Sequence, residues 1–209
     1  MRPEPPVMVL VRAIAASDAD TVARMLQGSP ALARASVEVG ATREEAAAYY
    51  LDEIDHYVYA GDTALHIAAA AYAAAVVSRL LELGADVGAR NHRGAQPLHY
   101  AADGIPGSGT WNPTAQAAVI TALIRAGADP DAVDKSGVAP LHRAVRTRCG
   151  PAVQALLDGG ADPMLANKSG STPMKLATQA TGRGGSGSPD AKAQQALIVE
   201  VLAQHGAMQ

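Results

Sequence analysis

The chain contains no phenylalanine, a single tryptophan and a single cysteine, and aromatic residues make up only 3% of its 209 residues. A thick globular core filled by large rings is therefore excluded, and closely packed, small-faced helices built from Ala, Leu and Val are expected. One cysteine, Cys149, rules out an internal disulfide and fits a reducing compartment. The longest apolar start, Val7 to Val11, is broken by Arg12 and is far shorter than the about 18 residues a membrane span needs. It also lacks the basic lead of a signal peptide beyond Arg2, so it reads as helix and no membrane association is expected. Charge of one sign is scarce too. A net charge of −3 gives no general affinity for nucleic acid, and none is expected as a partner.

What the chain does contain is repetition. The phrase Thr63-Ala64-Leu65-His66-Ile67-Ala68 returns as Gln96-Pro97-Leu98-His99-Tyr100-Ala101, as Ala139-Pro140-Leu141-His142-Arg143-Ala144 and, more faintly, as Thr172-Pro173-Met174-Lys175-Leu176-Ala177. Successive copies start 33, 43 and 33 residues apart, and Gly-Ala-Asp recurs at 84–86, 127–129 and 160–162. A period of about 33 with Thr-Pro-Leu-His-x-Ala closely resembles the ankyrin repeat. The resemblance implies an all-α solenoid of stacked helix-turn-helix repeats with projecting hairpins: three clear repeats between degenerate N- and C-terminal ones. It also implies a non-catalytic module that binds another protein through its concave surface. Thirteen Arg against four Lys, with abundant Ala and Gly, make the chain most similar to a bacterial-type member. Cytoplasmic residence as a monomer is the expectation, with export as an effector left open.

One domain is expected, divided into a capping repeat at 7–33, an inserted acidic helical segment at 34–57, and repeats at 58–90, 91–133, 134–166 and 167–209. Asp18 or Ser17 should cap the second helix of the first repeat, Gly84 should end an outer helix with positive φ, and Asn112 or Thr114 should cap the helix after the second insert. In the first insert, Thr42 with Glu45 three residues on reads as a capping box opening a helix to about Ile54. From Glu38 to Asp55 this segment carries six carboxylates against Arg43, and four of the six tyrosines lie between Tyr49 and Tyr59. The second insert, Gly104 to Pro113, holds Trp111, expected mainly as a cover for neighbouring repeats. The third, Thr181 to Pro189, is Gly/Ser-rich and should be a mobile linker.

Several groupings look like chemistry. His66, His99 and His142 occupy one position of successive repeats, so they cannot converge on one ion, and the resemblance implies that they fasten adjacent hairpins. Gly182 to Gly187 satisfies G-x-G-x-x-G without the strand, helix and later carboxylate a dinucleotide site requires. Asp52, Asp55 and His56 would share one helical face as candidate metal or acid/base groups, and Cys149 follows His142 by seven residues, yet neither set has an evident third member. No catalytic residue, metal or cofactor is assigned. The resemblance instead places hairpin tips and inner-helix faces at the partner. The expected contacts are Tyr49, Tyr50, Tyr59, Asp62, His92, Arg93, Lys135, Arg146 and Lys168, with the four cations reading an acidic segment. Two alternatives stand beside this: the acidic insert covers the basic groove as an autoinhibitory plug, or the inserts form an enzyme or metal site.

Overall fold

The computed structural model describes residues 3–179 and 189–207. Its helices come in pairs along the chain: α1 Pro6–Ala15 with α2 Ala19–Gly28, α3 Ala64–Ala70 with α4 Ala74–Glu82, α5 Pro97–Ala101 with α6 Pro113–Arg125, α7 Pro140–Arg146 with α8 Gly150–Asp158, and α9 Pro173–Thr178 with α10 Pro189–Gln204. The first members pack in an inner row, α1 on α3, α3 on α5, α5 on α7 and α7 on α9, while α4, α6, α8 and α10 form an outer row in the same order. The chain is thus a mostly helical solenoid. The Gly/Ser-rich linker expected at 181–189, including the G-x-G-x-x-G match, lies almost wholly outside the described residues.

The helix boundaries follow from local chemistry. Proline opens α5, α7 and α9, where its missing N–H would be unpaired in any case. The Asp18 carboxylate accepts from the Thr21 N–H at 3.0 Å and Asn112 accepts from Ala115 at 3.0 Å, so both helix caps form as expected. Gly84 ends the outer helix α4 at φ +80. Val77 and Leu80 of that helix are fully buried, as are Leu65, Ala68 and Ala69 of α3, which forms a continuous core with its neighbours. Small residues in the inner row let the helices approach closely.

The hairpins stack by backbone bonds: His92 N–H donates to Ala60 O at 2.8 Å and Lys135 N–H to Arg93 O at 3.0 Å. Each hairpin is shaped by one side chain that accepts from two backbone N–H groups. Asn91 serves Arg93 and Ala95, Asp134 serves Ser136 and Val138, and Asn167 serves Ser169 and Ser171. At Gly94, φ is +77 and a Cβ would stand 3.0 Å from the Lys135 nitrogen, so any larger residue would push neighbouring hairpins apart.

The first insert departs from expectation. In place of a helix to Ile54, a 3₁₀ turn at Ala46–Tyr49 leads into a two-residue hairpin, β1 Tyr50–Leu51 against β2 His56–Tyr57, with a second 3₁₀ turn, Asp52–Ile54, at its tip. The Thr42 hydroxyl does accept from Glu45 N–H at 3.1 Å, but the helix it would start does not continue. Burial decides the matter: Leu51 and Val58 both sink into the core, and Asp55 takes a left-handed φ of +51 that reverses the chain. A short helix has too little intrinsic stability to resist that. The insert is tied to the scaffold by Val37, whose backbone exchanges bonds with Asp62 O and Gly61 N–H at 2.7 Å each, and by Arg12, which donates to Ala48 O at 2.9 Å.

Candidate partner-binding surface

The repeated histidines serve as scaffold. In His66, His99 and His142, Nδ1 accepts from the backbone N–H at the start of its own helix, namely Thr63, Gln96 and Ala139. The opposite nitrogen, Nε2, donates to Ala95, Val138 and Ser171 O of the next hairpin at 3.1, 3.0 and 3.2 Å. That pattern needs the neutral ring, and burial favours it: desolvation holds all three below the usual histidine range, His99 at about 4. His142 is therefore committed to backbone partners. Cys149 is fully buried with its thiol pushed up to about 11 by desolvation, which keeps it protonated at neutral pH.

Asp62, expected as a surface contact, is instead wholly buried. Its carboxylate accepts from Tyr59 N–H at 2.7 Å, Asn91 Nδ2 at 2.9 Å and the Tyr100 hydroxyl at 2.8 Å. Position in the repeat suggested a hairpin tip, but the insert preceding it covers the site, and three donors compensate the buried charge.

Tyr59, His92, Arg93 and Arg146 do come together. The Arg93 guanidinium lies 4.0 Å from the Tyr59 ring centre, and Tyr59 is in turn 5.6 Å from His92 and 6.4 Å from Tyr57. Tyr59, Arg93 and Arg146 line a cleft of about 270 Å³ with Tyr100 and Arg143. Lys135 and Lys168 are exposed on the following hairpins, where Lys168 Nζ donates to Lys135 O at 2.6 Å. Tyr50 is held within the insert, its hydroxyl bonded to Asp55 and its ring 4.7 Å from Tyr57. Tyr49 does not join the group: it lines a separate, more apolar cleft between α1 and residues 35–39.

Arg143 was absent from the residues singled out on sequence grounds, because an Arg inside the Leu-His-x-Ala phrase carries no distinguishing signal. It bonds Asp103 at 2.8 Å and Asp134 at 3.1 Å with only 14% of its side chain exposed, and its Nε has no partner among the described residues. Asp52, Asp55 and His56 share no helical face, since the chain turns between them. Asp52 is exposed, whereas the His56 ring packs 4.5 Å from Tyr100 and its enclosed Nε2 has no hydrogen-bond partner among the described residues. Burial lowers the His56 pKa. Among the described residues, no three His, Cys, Asp or Glu side chains are grouped to hold a metal, and no insert carboxylate pairs with Arg93, Lys135, Arg146 or Lys168.

A family model described as Ankyrin repeat matches residues 60–92, and one described as Ankyrin repeats (many copies) matches residues 123–177. The chain is an ankyrin-repeat protein. The two matches bracket the second insert and include the fastening histidines His66 and His142, so the family signal comes from the scaffold and leaves the inserts out. No curated protein matches the chain. Ankyrin repeats are generally protein–protein interaction modules, and no helix described here is long and apolar enough to cross a membrane.

Trp111 both packs and faces open space. Its Nε1 donates to Gln116 Oε1 at 2.9 Å, and Gln116 Nε2 returns to Ala101 O and Asp103 O at 2.9 and 3.1 Å. Gly104 permits this: a Cβ there would stand 2.7 Å from the Tyr72 hydroxyl and 3.0 Å from the Trp111 ring. The result is a second cleft of about 530 Å³, bounded by the tip of the first insert and the Trp111 loop, over the ends of α1, α3, α5 and α7.

Proposed function

We propose that this ankyrin-repeat protein is a non-catalytic binding module whose inner-helix face receives an extended segment of a partner protein, with acidic side chains of that segment meeting Arg93, Arg146, Lys135 and Lys168. The observation that carries the reading is the grouping of Tyr59, Arg93 and Arg146 around one cleft, with His92 against the Tyr59 ring and neither arginine in an ion pair among the described residues. A cation held over an aromatic ring is preorganised, so little side-chain freedom is lost when a carboxylate arrives. Lys135 and Lys168 extend the positive strip along later hairpins and would contribute mainly to encounter rate.

In this reading the first insert is a wall of the groove and not a plug over it. Its carboxylates leave the basic strip unpaired, while Leu51 and Val58 belong to the core and cannot detach without exposing apolar surface.

Selection of a random-peptide display library on the wild-type protein tests it. Asp- and Glu-rich peptides should be enriched, their capture should weaken as salt rises, and Arg93→Ala with Arg146→Ala should abolish the enrichment. Enrichment of peptides without acidic residues, or equal capture by the double variant, would refute the electrostatic reading.

A further inference from the structure

The cleft between the two inserts has a chemistry opposite to that of the basic strip. Glu53 and Asp55 line it from the insert tip and Asp103 from the end of α5, while no lysine or arginine among the described residues lines it. Asp103 is largely matched by Arg143 and Asp55 accepts from the Tyr50 hydroxyl, but neither Glu53 nor Asp55 forms an ion pair among the described residues. The walls supply rings from Tyr72 and Trp111. His56 stands at the boundary with the smaller basic cleft, its enclosed Nε2 without a hydrogen-bond partner among the described residues.

We propose that this cleft is the seat of an arginine side chain from the partner. A guanidinium matches the cleft: its flat faces suit the Trp111 and Tyr72 rings, and its forked N–H groups suit two carboxylates at once. A volume of about 530 Å³ lies in the range of sites that enclose a ligand group. The C-terminal ends of the inner helices underneath add partial negative charge. An apolar side chain would leave the carboxylates uncompensated, and an acidic one would be repelled.

This deepens the reading of the inner-helix face as a partner groove. It adds that the bound segment changes sign along its length, with an arginine between the inserts and acidic residues beside Arg93 and Arg146. The two clefts share His56, Tyr100, Asp103 and Thr147, so one extended segment can occupy both.

Trp111 is the only tryptophan, so its fluorescence reports on this cleft alone. Titration with acetyl-Gly-Arg-Gly-amide should shift or quench the emission to saturation, whereas the peptide with neutral citrulline in place of arginine should bind at least about tenfold more weakly. Glu53→Gln with Asp55→Asn should weaken the arginine peptide by about the same factor, as should Glu53→Gln alone to a lesser degree, with unchanged circular dichroism. Arg93→Ala with Arg146→Ala should leave this titration unaffected, which separates failure of the arginine seat from failure of the acidic-segment reading. No response to the arginine peptide, equal responses to arginine and citrulline, or indifference to the carboxylate substitutions would overturn the proposal.

Discussion

The regular hairpins and the inserts of this chain handle their polar groups in opposite ways. In the repeats, His66, His99 and His142 each have a partner at both nitrogens and each Asn91-type side chain accepts two backbone N–H bonds. In the inserts, His56 Nε2 has no partner and Glu53 and Asp55 form no ion pair among the described residues. Groups satisfied inside a scaffold contribute stability and offer little to a partner; groups left open offer recognition and contribute little stability. Ankyrin repeats here build the frame, and the interruptions in them supply the individual surface.

That contrast predicts unequal responses to substitution. The largest effect should come from Asp62→Ala, which removes the acceptor shared by the Tyr100 hydroxyl, Asn91 Nδ2 and Tyr59 N–H and leaves the first two only their bond to each other. Chemical denaturation should show a loss of about 3–5 kcal/mol. His99→Leu, which leaves Gln96 N–H and Val138 O unpaired, should cost about 2–3 kcal/mol by the same measurement.

Acid should act through the same fasteners. The folded-state histidine pKa values lie below the ordinary 6.5, so the unfolded chain binds more protons between the two values and stability falls with pH. The His99 contribution is complete above about pH 6.5 and is lost as pH falls through about 4. The thermal midpoint should therefore drop steadily across that window. A flat profile would show that the rings are not held neutral.

The smallest effects should fall in the basic strip and the inserts. Arg93→Ala removes an exposed contact over Tyr59 and should cost no more than about 1 kcal/mol of stability. Glu53→Gln and Asp55→Asn should each stay within about 0.5 kcal/mol, and a larger loss would mean that the insert tip is structural after all.

The frame was legible because it is periodic: the Leu-His phrase, the Gly-Ala-Asp closures and the caps at Asp18 and Asn112 each have a local cause that a linear reading detects. The insert hairpin was not, because Ala46 to Ala48 and the Thr42 cap favour a helix locally, whereas the burial of Leu51 and Val58 is decided by tertiary packing. For the same reason Asp62 looked exposed, since nothing in its neighbours announces that residues 36–37 will pair across it. The meeting of residues 53–56 with Trp111 joins two interruptions more than 50 residues apart and depends on the stacking of whole repeats. Tyr59, His92, Arg93 and Arg146 could be anticipated because they sit at equivalent, outward positions of a known frame.

The central claim is that recognition belongs to the inserts and basic strip while the repeated histidines belong to the scaffold. Nuclear magnetic resonance of the isotope-labelled protein, titrated with one peptide carrying an arginine followed by an acidic run, tests it most directly. The account predicts shifts at residues 53–59, at 104–111 and at Arg93 and Arg146, with the imidazole signals of His66, His99 and His142 unmoved. Shifts centred on those three histidines or on the outer helices, with the inserts silent, would contradict it.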